Sequence, residues 1–171
     1  MGTLKDTAIV FAAAMVLLPV GGNADQLAKR GTYSGRYSFS EHGNVVPVEK
    51  DYLFTDALNQ GTFFNSEGSG FLHLATGACT SQGIIEKGQF AFSGHCAMTD
   101  KDNDKALLKW SCSNGSATKH SDRCEGTFDW IGGTGKYVGL RGHSVFDGAV
   151  TAQGPLGSIG DANWKGEWEL P

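Results

Sequence analysis

An alternation of apolar and polar side chains, with a period of two residues, is the feature that most constrains the fold of this chain. In the segment 162–170, Trp164, Trp168 and Leu170 alternate with Asn, Lys and Glu side chains. The segment 32–40 has the same period, with aromatic side chains on one face and Ser, Thr and Arg on the other. Successive side chains of a β-strand point to opposite faces, so each segment predicts a strand with one buried face.

About eight short segments of this kind are joined by turns rich in Gly, Asn and Asp, and no helical periodicity exceeds two turns beyond the first 24 residues. This pattern is typical of an antiparallel all-β domain. A meander of so many strands must close on itself or protect its edges. We therefore predict a single, closed, antiparallel eight-stranded β-barrel, with a β-sandwich as the alternative.

Polar residues predict where the first strands end. The run 41–44 is expected to be a turn between the first strand and a second extended stretch at 45–54. The segment 56–61 is expected to form one helical turn or a loop. Further along, the stretch 126–148 predicts a strand, a glycine turn and a second strand. Its glycines allow positive φ at turns and close backbone approach at bends.

The first 24 residues have the layout of a secretory signal. Lys5 precedes an uncharged, mostly apolar run at 7–20, and small residues at 22–24 fit a peptidase site. We expect cleavage after Ala24, which leaves a barrel domain at 25–171 that is secreted or periplasmic and meets no membrane. The alternative, a retained anchor, is disfavoured because a spanning helix needs roughly 20 apolar residues.

Four cysteines make an even set, which in an exported chain favours disulfides. Spacing alone leaves three connectivities open. Cys79 and Cys96 flank one polar turn symmetrically, and Cys112 and Cys124 flank another. We predict these two pairs, with a Cys96–Cys112 bond as the main rival.

Charge and motif content exclude several function classes. A formal net charge of −4 gives no footprint for nucleic acid. Asp100, Asp102 and Asp104 alternate as in a calcium loop, but Lys105 and Ser111 stand where such a loop needs Gly and Glu. We predict an acidic turn there, and no metal site or cofactor.

The inner face of the predicted barrel supplies the candidate ligand-binding residues. They are large or aromatic side chains on the apolar face of their strands, and they could line a pocket or fill a core. The set is Tyr37, Phe71, His73, Phe92, Trp110 and Phe128. His73, placed on the Phe71 face of an expected strand at 71–79, is a weak candidate for an acid or base. A core histidine is the preferred interpretation, because the register suggests no acidic partner.

The segment GGTGKYVGLRG at 132–142 resembles the glycine segment of allene oxide cyclase-like and dirigent-like barrels. The Asp-rich hairpin and the last strand add to a resemblance with exported bacterial members. It implies an eight-stranded barrel with an apolar cavity, often assembled as a homo-oligomer. Plant members close a ring on an unstable epoxide or orient radical coupling, but no residue for either activity aligns here.

Three functions follow as hypotheses. The first is an exported barrel that binds a small apolar or phenolic ligand and has no demonstrable catalysis. The second is an isomerase or cyclase acting inside the cavity, which requires an inward polar residue. The third is a structural or surface-interaction protein with a filled core.

Overall fold

Eight antiparallel strands follow one another around a closed barrel in the order in which they occur in the chain. The computed structural model describes residues 27–114, 123–155 and 157–171. The predicted all-β barrel is confirmed, and the β-sandwich is not what the chain forms. The predicted signal peptide, residues 1–24, lies outside the described residues.

The strands are β1 Arg30–Glu49, β2 Tyr52–Asn65, β3 Thr76–Glu86, β4 Gln89–Thr99, β5 Lys105–Asn114, β6 Arg123–Gly133, β7 Gly142–Gly154 and β8 Gly157–Glu169. Short turns join β1 to β2 and β3 to β4, and longer connections lie between β2 and β3 and between β6 and β7. A single 3₁₀ turn, Gly135–Tyr137, lies between β6 and β7. The barrel closes where β1 pairs with β8, from Arg30 opposite Glu169 to Glu41 opposite Ser158. Within the described ranges, no helix is long and apolar enough to cross a membrane.

The first hairpin is longer than its sequence predicts. β1 runs through 41–44 and β2 through 56–61, so the predicted turn and the predicted helical turn or loop are both wrong. The chain reverses instead at Lys50 and Asp51, where Asp51 has a φ of 61°. Beyond Glu41, β1 no longer pairs with β8 and is exposed on both faces. A strand without a buried face carries no apolar alternation, which explains the polar sequence there.

The expected strand at 71–79 begins only at Thr76. The residues before it form a loop in which Leu72 and Leu74 have positive φ values of 54° and 62°. Phe71, Leu72 and Ala75 are nonetheless buried. The loop places these apolar side chains at one end of the barrel, so their burial does not depend on a strand.

This end of the barrel, called here the closed end, is filled by aromatic side chains. Phe71 stacks on Trp168 with ring centroids 4.7 Å apart and meets Trp130 edge-on at 5.5 Å. The Tyr33 hydroxyl and the Ser144 hydroxyl, both buried, are 2.7 Å apart and share a hydrogen bond. Each buried hydroxyl therefore has a partner, as burial requires.

Two disulfides join neighbouring strands. Cys79 on β3 is bonded to Cys96 on β4, directly opposite in the register. Cys112 on β5 is bonded to Cys124 on β6. These are the pairs that hairpin symmetry predicts, and two disulfides are compatible with an extracellular or periplasmic location.

The acidic turn between β4 and β5 is held against the 3₁₀ turn by Lys136. Its Nζ lies 2.7 Å from Asp100 Oδ2 and 2.5 Å from Asp102 Oδ2. The Asp100 carboxylate also accepts hydrogen bonds from the backbone N–H groups of Asp102 and Asp104, at 2.8 and 3.1 Å, and from the Tyr137 hydroxyl at 3.1 Å. A lysine of the chain itself therefore pairs with two of the three carboxylates that suggested a calcium loop.

Candidate ligand-binding cavity

The other end of the barrel contains a cavity of about 820 Å³, which extends toward the β1–β2, β3–β4 and β7–β8 turns. All eight strands contribute to its walls, and aromatic side chains come from six of them. The aromatic lining residues are Tyr37, Phe39, Phe90, Phe92, Trp110, Phe128, Phe146 and Trp164. Phe128 and Trp164 pack together with ring centroids 4.9 Å apart. Both rings are buried and face the filled end, so they form the floor.

Glycines fix the position of the Tyr37 ring. A Cβ atom at Gly61 would lie 2.8 Å from Tyr37 Cζ, and one at Gly77 would lie 2.8 Å from Tyr37 Cε2. Only glycine lets the ring lie this close to strands β2 and β3. The other face of the ring stacks on Trp164 at 4.9 Å. Tyr37 is thus held flat against the wall, with its hydroxyl directed along it.

A short chain of hydrogen bonds runs from Tyr37 to Glu41. The Tyr37 hydroxyl donates to Asn59 Oδ1 at 3.0 Å. Asn59 lies opposite Glu41 in the β1–β2 register, and its side chain hydrogen-bonds to the Glu41 carboxyl group. Burial raises the pKa of Glu41, and the hydrogen bond from Asn59 opposes this effect without cancelling it. The cavity therefore holds a carboxyl group that protonates more readily than an exposed glutamate.

The charged groups of the cavity are all acidic. Glu41 and Asp56 line it, and no Lys, Arg or His occurs among the described lining residues. Asp56 accepts a hydrogen bond from Asn44 Nδ2 at 3.1 Å, close to the opening. The Cys79–Cys96 disulfide contributes to the wall, with Cys79 Sγ 3.8 Å from the Tyr37 hydroxyl.

The structure brings together four of the six predicted ligand-binding residues. Those that line the cavity are Tyr37, Phe92, Trp110 and Phe128. Phe71 and His73 lie in the loop at the closed end instead, because the segment that carries them is not part of β3. The Nδ1 atom of His73 is buried there and has no hydrogen-bond partner among the described residues.

Glu41 and Asn59 are cavity residues that the sequence did not single out. Both fall in segments whose polar composition predicts a turn or a loop. One signal was present: Glu41 continues the two-residue period of Tyr37 and Phe39, which places it on the inward face. Its contact with Asn59 depends on strand register, and the sequence does not specify that register.

No protein-family model matches the sequence, and no curated protein is significantly similar to it. Among solved structures, the chain is similar to the pterocarpan synthase dirigent protein GePTS1. The two share 15% sequence identity with a TM-score of 0.49, over 83% of this chain and 93% of that chain.

Proposed function

We propose that this chain is an exported barrel protein that binds a small apolar or phenolic molecule in its cavity. The observation that carries the proposal is the aromatic-walled cavity of about 820 Å³. Ligand sites in proteins are commonly concave, mainly apolar spaces of roughly 300–1,000 Å³ with a few polar groups that orient the ligand. The signal at residues 1–24 and the two disulfides support the exported location.

Binding can be measured directly by tryptophan fluorescence, because Trp110 and Trp164 line the cavity. The oxidised chain 25–171 is titrated with a panel of fatty acids, phenols and neutral aromatic compounds. The proposal predicts saturable quenching or enhancement by at least one class. Absence of binding across the panel would contradict it.

A pair of neighbouring substitutions localises the site. Ser81 lines the cavity, whereas the next residue, Gln82, is exposed on the outer face of β3. Ser81→Phe is expected to fill part of the cavity and weaken binding roughly tenfold or more, which corresponds to about 1.4 kcal/mol. Gln82→Phe adds the same ring outside and is expected to leave binding unchanged. Equal effects of the two variants would place the ligand elsewhere.

A second candidate is an isomerase or cyclase acting in the same cavity, and Glu41 is the observation that favours it. A partly buried carboxyl group whose pKa is raised by desolvation is a candidate for proton transfer. The chain would be assayed by chiral product analysis with unsaturated epoxide substrates. Turnover that disappears in Glu41→Gln would support this candidate, and product ratios equal to those without protein would exclude it for those substrates.

A further inference from the structure

The polar end of the cavity has a fixed hydrogen-bond direction. Tyr37 donates to the carbonyl oxygen of Asn59, so the Asn59 amide group is oriented with its N–H donors free to face Glu41. The Glu41 carboxylate is the last acceptor of this series and lines the open space. An ionised carboxylate only accepts hydrogen bonds. A ligand that meets Glu41 in its ionised form must therefore supply a donor.

The acidic side chains that line the cavity favour a positively charged hydrogen-bond donor over a neutral or negatively charged ligand group. The ionisable carboxyl groups Glu41 and Asp56 line the cavity, with no basic side chain among the described lining residues. A ligand carboxylate would bring another negative charge into a largely apolar space whose described lining residues offer no cation to pair with it, which is costly. A ligand cation would instead meet an opposite charge that is already hydrogen-bonded.

The aromatic walls next to Glu41 also suit a cation. Tyr37 and Phe39 precede Glu41 on the same inward face of β1, with ring centroids 5.9 Å apart. Tyr37 in turn stacks on Trp164 at 4.9 Å. Aromatic faces attract organic ammonium groups, and the attraction is largest where water is excluded. A carboxylate beside several aromatic rings thus offers an ammonium group both a charge partner and ring faces.

We propose that the cavity selects apolar amines, that is, ligands with a hydrocarbon or aromatic body and one ammonium group that pairs with the carboxylate of Glu41. This inference rests on the proposed function, since it names the class of ligand for the same cavity. Burial raises the pKa of Glu41, and an ammonium partner would favour its ionised form.

Three probes with one hydrocarbon body test the inference: phenylbutylamine, phenylbutanol and phenylbutyrate. Their affinities for the oxidised chain 25–171 are measured by calorimetry at neutral pH. We expect the amine to bind roughly tenfold more tightly than the alcohol, and the carboxylate to bind most weakly, since a tenfold change corresponds to about 1.4 kcal/mol. An alcohol or carboxylate that binds as tightly as the amine would overturn the inference while leaving the proposed function intact. Absence of binding by all three would also overturn the inference, whereas the proposed function is decided by the wider panel of fatty acids, phenols and neutral aromatic compounds.

Two variants separate pairing with Glu41 from general attraction to an acidic protein. Glu41→Gln is expected to reduce amine affinity to that of the alcohol. Glu167→Gln removes the same charge from an exposed, outward position on β8 and is expected to keep the amine preference. A preference that survives in Glu41→Gln would overturn the assignment of Glu41. Should Glu41→Gln not fold, the three probes on the unmodified chain still decide between the outcomes.

Discussion

At the scale of single residues, contacts between aromatic rings and glycines shape the interior of this barrel. Tyr37 lies against Gly61 and Gly77, and the same arrangement recurs around the cavity wall. The recurring pairs are Phe39 with Gly160, Phe92 with Gly83, Trp110 with Gly94 and Phe146 with Gly126. A small barrel has little interior space, so a large ring requires a missing side chain on a neighbouring strand. The high glycine content therefore reflects packing as well as turns.

Gly77→Ala tests this packing. The added Cβ would lie 2.8 Å from Tyr37 Cε2 and 2.9 Å from Met98 Sδ, so both side chains would have to move. Overpacking of this kind typically lowers the free energy of unfolding by about 1–3 kcal/mol. Urea unfolding of the oxidised protein measures the loss. Gly154→Ala is the matched control, because a Cβ added there would meet no atom of another described residue within 4 Å, its chain neighbours aside. Equal losses in the two variants would contradict the packing argument.

At the scale of elements, the β4–β5 turn and the 3₁₀ turn depend on one lysine. The Asp100 side chain is only 8% exposed, and its pKa reflects opposing effects. Desolvation opposes its ionisation, but hydrogen bonds from Lys136, the Asp102 backbone and Tyr137 outweigh it and hold the pKa below its usual range. The two turns are thereby joined at the closed end of the barrel, beneath the aromatic core.

Lys136→Met is expected to destabilise the protein, because it leaves the Asp100 carboxylate without its cation. The expected loss in free energy of unfolding is about 1.5–3 kcal/mol at neutral pH, the usual contribution of a hydrogen bond to a charged group. A group whose pKa is lowered by folding contributes stability above its unfolded pKa of about 3.9 and loses it at lower pH. The difference between wild type and variant should therefore shrink as pH falls below about 4.

Thermal unfolding from acidic to neutral pH measures this difference. Lys101→Met removes the same charge from an exposed position in the same turn and serves as the control. A stability loss as large in Lys101→Met as in Lys136→Met would show that overall charge, and not the ion pairs with Asp100 and Asp102, is responsible.

The elements also show what the sequence can predict. The alternation in 162–170 correctly predicts the inward face of β8, because one face is buried and the other is solvated. The same reasoning fails at 41–44, where β1 leaves the barrel and has no buried face. It fails again at Phe71, where a loop and not a strand buries the apolar side chains of Phe71, Leu72 and Ala75. The cavity carboxylate escapes prediction because the polar composition of 41–44 predicts a turn there, although Glu41 lies on the inward face after Tyr37 and Phe39.

At the scale of the whole molecule, the barrel is divided between a filled end and an open end. Aromatic stacking around Phe71 and Trp168 packs the closed end without help from a ligand. The cavity at the other end is bounded by the same strands and shares the floor formed by Phe128 and Trp164. Stability and binding are therefore assigned largely to different ends of one sheet, which allows cavity substitutions such as Ser81→Phe to be tested in a folded protein.

Closure of the barrel should determine how fast the chain folds. β1 pairs with β8, so Arg30 meets Glu169 near the opposite end of the sequence, whereas both disulfides join adjacent strands. Barrels with such non-local pairing fold in roughly milliseconds to seconds, because chain entropy is lost before distant contacts form. We expect refolding in this range by stopped-flow tryptophan fluorescence, which reports the burial of Trp130, Trp164 and Trp168.

Removing the disulfide between Cys79 and Cys96 tests whether the refolding rate depends on barrel closure or on overall stability. Its removal in the double variant Cys79→Ala, Cys96→Ala should lower the free energy of unfolding by about 3 kcal/mol, the loop-entropy value for a short loop. Refolding should stay in the millisecond-to-second range, because the bond joins strands that are already neighbours and the β1–β8 search remains. Folding of the oxidised chain in microseconds would contradict the view that closure limits the rate. So would a double variant that no longer refolds under conditions where its native state is stable.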